Sequence, residues 1–336
     1  MEKILLVAPA WLGDMIMAHS LLQVLRTQDP EIQIDVLAPK STLPITELMP
    51  EFSERILMPE GHGEFSLIKR WRLAQLLKAK HYTRAYILAN TWKSALVPFL
   101  ARIPKRIGWL GEARYGLLTH YLKHPERFPK MVERYVALAY PKAKFNPGAA
   151  VSAPSLTIPR ALHRKTLAKF SLNLQRPRLL LSPGAAFGPA KRWPLEYFQE
   201  VAAYFTRNKV EVLIIGGPGE VELAATIAAA VPQVHNFVGH TTLLEMAALI
   251  AMADVVLAND SGPMHVAAAL AKPMVAIFGS SSTIFTPPLS PKALVLERLN
   301  LPCRPCFQRE CPLKHLNCLK DISPAEVIAA LKQKFA

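Results

Sequence analysis

Two series of short apolar runs, each run separated from the next by a longer stretch of helical period, occupy almost the whole chain. A single break near residues 141–177 divides them. Runs of four to seven residues joined by amphipathic segments suit parallel strands wrapped by helices, because such strands bury both faces and each helix only one. In the first series residues 3–8, 32–38, 55–58, 84–89 and 106–109 read as strands, and 15–27, 65–80 and 93–101 as helices. In the second, 178–182, 210–216, 236–239, 254–258 and 274–278 read as strands, and Thr242 with Glu245 forms a capping-box pattern before one of the intervening helices. The break is proline-rich and holds one short helical stretch, 160–170. The expected architecture is α/β: two Rossmann-like, doubly wound parallel-sheet domains, 1–155 and 178–336, joined by a linker over 156–177 and facing an interdomain cleft.

A chain of 336 residues has room for two such cores, and 51% apolar with 19% charged residues is a globular composition. No apolar stretch approaches the roughly 20 residues that span a bilayer. The longest, 243–258, carries Glu245 and Asp254, and Asp14 interrupts the apolar N-terminal run before it reaches signal-peptide length. The expectation is a cytoplasmic protein whose membrane contact, if any, is peripheral. Its 40 Lys and Arg against 25 Asp and Glu give a net charge of +15, which favours a polyanionic partner. Nucleic acid is disfavoured as that partner, since RNA-binding signatures are missing and aromatic residues are only 8%.

Ligands of open parallel sheets bind beyond the carboxyl ends of the strands, and four loops there carry unusual chemistry. The first, Pro9-Ala10-Trp11-Leu12-Gly13-Asp14, lacks the G-x-G-x-x-G fingerprint and so argues against a nicotinamide enzyme. Gly13 suits a tight turn; Asp14 is either a helix N-cap or a base for a sugar hydroxyl. Residues 183–194 (PGAAFGPAKRWP) set Lys191 and Arg192 beside two glycines, as a surface basic pair or as cations for an anion such as pyrophosphate. The Gly216-Gly217-Pro218-Gly219-Glu220 turn offers a carboxylate that caps a helix or binds ribose hydroxyls. Residues 258–265 (ANDSGPMH) are the most informative. Ser261 or Gly262 fits an N-cap and Pro263 the first helical position, so free amides and a positive dipole end make an anion site. Asp260 stands where it would hold sugar hydroxyls, and His265, on the first turn, is either structural or a ligand contact.

Together PAWLGD, PGAAFGPAKRWP, GGPGE and NDSGPMHVAAAL resemble the bacterial lipopolysaccharide heptosyltransferases; WLGEARYGLL and MVERYVALAY extend the likeness over nearly the whole chain. The resemblance implies a GT-B fold and an inverting single displacement without a DxD metal site or a cofactor. It implies ADP-heptose (ADP-L-glycero-D-manno-heptose) as donor on the second domain. On the first it implies an acceptor, Kdo-lipid A carrying one heptose, at the cytoplasmic face of the inner membrane. Carried across, Asp14 would be the base, Lys191 a pyrophosphate contact, and Glu220 a ribose contact, with Glu222 only two residues away. Asp260, Ser261, Gly262 and His265 would hold phosphate and heptose.

Many of the basic residues lie in the first half. Lys69, Arg70 and Arg72 read as the solvated face of one helix, whereas Lys93, Arg106 and Arg114 lie in or near loops after strands and are acceptor-binding candidates. Cys303, Cys306, Cys311 and Cys318 have the spacing C-x2-C-x4-C-x6-C, compatible with a structural metal, redox-sensitive pairs or free thiols. Another nucleotide-sugar transferase or an epimerase on the same domains, and a basic nucleic-acid-binding protein, are the competing readings.

Overall fold

The computed structural model describes residues 2–59, 66–140, 145–172 and 175–335. The chain divides into two compact units, Met1–Pro154 and Ser155–Ala336. In chain order the first comprises β1 (Lys3–Val7), α1 (Leu12–Gln28), β2 (Gln33–Ala38), β3 (Phe52–Leu57), α2 (Leu67–Lys78), β4 (Arg84–Ile87), α3 (Trp92–Leu100), β5 (Lys105–Trp109), β6 (His120–Leu122) and α4 (Met131–Ala137). Its strands form one parallel sheet in the order β3-β2-β1-β4-β5-β6. β1 reads KILLV because it pairs on both sides, and its last four residues are buried.

The second unit comprises α5 (Arg160–Phe170), β7 (Arg178–Ser182), α6 (Leu195–Arg207), β8 (Glu211–Ile214), α7 (Val221–Ala230), β9 (His235–Asn236), α8 (Leu243–Met252), β10 (Val255–Asn259), α9 (Gly262–Ala269), β11 (Met274–Phe278), β12 (Ala293–Glu297), α10 (Asn317–Lys320) and α11 (Pro324–Phe335). Its sheet is also parallel, in the order β12-β11-β10-β7-β8-β9. β7, β10 and β11 are buried throughout. Trp193, Phe198 and Phe205 from the α6 side and Val327 and Leu331 of α11 join one core against them. In both sheets the chain doubles back about its first strand. β1 lies between β2 and β4, and β7 between β8 and β10. Loops leaving those strands diverge, which is where a doubly wound sheet opens a binding crevice.

The expected strands form within three residues of their anticipated ends, and the Thr242–Glu245 capping box is present at α8. Five elements lie outside that reading: the three-residue β6, the seven-residue α4, the half-buried edge strand β12, the four-residue α10 and the twelve-residue α11. The expected linker folds with the second unit. α5 packs on α8, Leu156 N donates to Ala269 O at 3.0 Å, and Lys169 reaches both carboxylate oxygens of Glu245 at 2.9 Å. Its residues Asn173 and Leu174 lie outside the described residues, as do Pro141, where the break was expected to open, and Phe65, the expected first residue of α2.

Three of the basic residues are not surface charges. Arg70 is buried and donates to Lys93 O at 2.7 Å. Arg114 is buried and donates to the carbonyls of Ala89 at 2.7 Å and Trp109 and to Ser94 Oγ at 3.2 Å. It thereby ties the ends of β4 and β5 to the start of α3, and burial pushes its guanidinium down to about 10, still charged at neutral pH. Arg106 donates to the carbonyls of Leu117 at 2.6 Å and Ile103 at 2.6 Å. Both arginines among the three acceptor-binding candidates therefore have donors engaged in holding backbone; Arg106 lies within β5 and Arg114 in the loop after it, while Lys93 is half-buried in the first turn of α3.

Candidate functional site

The strongest polar constellation lies at the carboxyl ends of β7, β8, β10 and β11 in the second unit. Asp260 leaves β10 with its backbone N–H on Ile277 O, fixed between two strand ends. Its buried carboxylate receives Lys191 Nζ on Oδ2 at 2.5 Å. Ser281, beyond β11, donates its hydroxyl to the same oxygen. Lys191 ends a short turn, Pro189–Lys191, and its ammonium also lies over the Phe187 ring at 5.1 Å. An ammonium has three protons, so one ion pair orients it and leaves donors for an anion.

Next to this pair α9 begins. Ser261 is its N-cap residue, one of the two the sequence offered, and Gly262 rather than Pro263 is its first helical residue, with Pro263 the second. Ser261 caps nothing with its side chain: Oγ is buried and makes no hydrogen bond among the described residues. A buried hydroxyl in want of a partner, at the positive end of a helix and near a lysine, suits a ligand oxygen. His265 is buried one turn in. Burial drives its imidazole down to about 4, with Lys191 adding to the shift and Asp260 opposing it, so it is neutral at physiological pH.

Glu220 closes a short turn after β8 and precedes α7. Its Oε2 accepts from Gly217 N at 2.8 Å, and a Cβ added to Gly184 would stand 1.8 Å from its Oε1. The carboxylate thus lies directly on the bare backbone of the β7 loop, an approach only glycine permits there. Glu222, the other acid in that region, is exposed. Asn259 lies in the 258–265 stretch, but nothing in the sequence assigns it a role of its own. Buried at the end of β10, it accepts from Trp193 N at 3.1 Å and donates to Pro183 O at 2.7 Å, pinning the Lys191 loop at both ends.

In the first unit, Asp14 is on the first turn of α1 but is not its N-cap. Trp11 holds that place without a side-chain bond, and Gly13 is helical rather than a turn residue. The Asp14 carboxylate accepts a hydrogen bond from the phenol of Tyr135, a buried residue of α4, whose own ionisation is pushed far up by burial and by Asp14. α4 packs along α1, which brings the two together. Tyr135 is the second residue that the sequence gave no reason to single out.

The four cysteines gather around one small cavity that Ala190, Ser280 and His315 also line. They are free thiols, and among the described residues no group of three or more His, Cys, Asp and Glu is arranged to hold a metal. Backbone amides around Cys311 lower its thiol pKa against the opposing effect of burial, while burial of Cys318 raises its thiol to about 11.

Residues 70–317 match the family described as Glycosyltransferase family 9 (heptosyltransferase). The chain belongs to glycosyltransferase family 9. It is 41% identical to lipopolysaccharide heptosyltransferase 2 of Escherichia coli K12, over 98% of this chain and 97% of that protein. It is 41% identical to lipooligosaccharide heptosyltransferase 2 of Haemophilus influenzae, over 88% of each chain. The solved structure of E. coli ADP-heptose lps heptosyltransferase II superposes with a TM-score of 0.89 at 38% identity, covering 99% of this chain and 98% of that one. The chain accordingly has a GT-B-like fold, with two parallel six-stranded sheets, and is a glycosyltransferase whose activity is heptose transfer.

Proposed function

We propose that this glycosyltransferase moves L-glycero-D-manno-heptose from ADP-heptose onto the first heptose of the lipopolysaccharide inner core, with inversion at the anomeric carbon. The observation that carries the reading is the group at the start of α9. Lys191 is set by Asp260, beside the unpartnered Ser261 hydroxyl and the first amides of the helix. That is a site for a dianionic pyrophosphate. In the transfer, an acceptor hydroxyl oxygen bonds to the anomeric carbon while the bond from that carbon to the β-phosphate oxygen breaks, and ADP departs with the electron pair. Negative charge grows on the phosphate, so Lys191 and the α9 amides stabilise the transition state more than the ground state. Asp14 takes the hydroxyl proton late, when attack has made that proton acidic. Tyr135 holds the carboxylate in one orientation for it. Glu220 meets the ribose from its position over Gly184, and His265, neutral and buried, lies within the field of Asp260 and Lys191.

On this reading the acceptor is Kdo-lipid A bearing one heptose. Lys93 is the first-unit cation retained for it, and the protein works at the cytoplasmic face of the inner membrane. The test is incubation with ADP-heptose and a one-heptose core acceptor, read by mass spectrometry. The expected product is heavier by one heptose. Absence of that product from folded protein, with an active relative running alongside, overturns the reading.

A further inference from the structure

Exposed apolar side chains scattered singly are ordinary on any protein, whereas a contiguous group marks a contact surface. Helix α2 carries such a group. Leu67, Ile68, Trp71 and Leu76 are 55%, 66%, 52% and 68% exposed, four large apolar residues on one helix of twelve. At about 100° per residue, Leu67, Ile68 and Trp71 share one arc of roughly 100° that also holds exposed Gln75, and Leu76 lies about 80° beyond it. The buried face, Arg70, Ala74 and Leu77, adjoins this arc on the Leu67 side. Exposed Lys78 falls within the apolar arc and Arg72 just beside it, with Lys69 further round; the helix contains no acidic residue.

We propose that this outward face of α2 docks on an anionic phospholipid surface. An apolar arc crowned by a tryptophan and edged by long cationic side chains is the form of a helix that lies in a membrane interface. The apolar groups enter the boundary of the acyl chains, and the lysine and arginine stems reach back to lipid phosphates. Charge selects this occupant. A helix with several basic and no acidic residues, on a chain of net charge +15, is drawn to an anionic sheet and repelled by a second copy of itself. No helix among the described residues is long and apolar enough to cross a membrane, so contact through α2 is by surface adsorption. The proposal rests on the lipid-linked acceptor proposed above, since an enzyme that works on a lipid anchored in a bilayer gains from being held at that bilayer.

The test is co-sedimentation of the full chain with vesicles of phosphatidylcholine containing one-third phosphatidylglycerol, and with vesicles of phosphatidylcholine alone. Neither donor nor acceptor is present, so the result is independent of transfer: failed transfer with intact binding defeats the function and leaves the surface standing. Binding is expected to the anionic vesicles and to fall steeply with salt. Ile68→Asp and Trp71→Ala should each weaken it about tenfold, and Lys69→Glu with Arg72→Glu by more, with the thermal midpoint moved little, because Ile68 and Trp71 are more than half exposed and Lys69 and Arg72 are exposed. Equal binding by wild type and variants, or no binding by wild type, overturns the proposal. So does self-association of the wild type that Ile68→Asp abolishes, which would assign the face to a second copy.

Discussion

The two units are built on the same strand logic but equip their strand ends differently. In the second, loops from four strands are locked to one another through side chains. Lys191 and Ser281 meet on Asp260, Asn259 joins Pro183 to Trp193, and Glu220 lies on Gly184. In the first, the equivalent crevice holds one candidate carboxylate with one buried phenol behind it, and the arginines nearby hold the backbone. On the proposed function, the difference is a division of labour. Binding a pyrophosphate needs several charges and amides fixed in advance, since their attraction is lost if they must reorganise, whereas removing one proton needs one group at the right angle.

The contrast breaks most visibly at Asp14. Asp14→Asn should lower kcat about a thousandfold, near the middle of the range for loss of a general base, while the KM for donor changes little; a near-normal kcat removes Asp14 from the chemistry. Arg114→Ala should act on the fold of the first unit. Carbonyls of Ala89 and Trp109 lose their buried donor, and a stability loss of about 3 kcal/mol is expected by chemical denaturation, with ADP affinity unaltered.

In the second unit, His265 links stability to pH. Its folded pKa of about 4 lies below the unfolded value of 6.5, so the unfolded chain takes up the proton first. Stability should fall as pH drops from about 6.5 to about 4, by about 3 kcal/mol in all, and then level off with respect to this group. His265→Gln should flatten that segment of a denaturation-versus-pH curve; an unchanged curve sinks the assignment. The smallest effect is expected at Gly184. Gly184→Ala displaces the Glu220 carboxylate and should weaken ADP binding about fivefold, matching Glu220→Gln, and unequal losses would separate Glu220 from the ribose.

What could be read in advance was whatever has a local signature. β7 and β11 form over the very residues whose apolar runs announce them, and Pro263 signalled the start of α9 to within one residue. Contacts between distant residues had no such signature. Lys191 and Asp260 were separately visible as a cation and an acid, but their ion pair spans 69 positions and exists only because β7 and β10 are neighbours. Arg114 looked like a free loop cation because its acceptors are carbonyls, which every residue has. Tyr135 and Asn259 were hidden for the same reason, each acting through a partner brought by the fold.

Titration of ADP into the wild type, Asp14→Asn and Lys191→Ala by calorimetry tests the division of labour most directly. The account predicts that Asp14→Asn binds ADP as the wild type does, within about twofold, and that Lys191→Ala binds at least about tenfold more weakly, the loss of one charge-assisted contact. Unchanged affinity in Lys191→Ala, or an equal loss in Asp14→Asn, would contradict it.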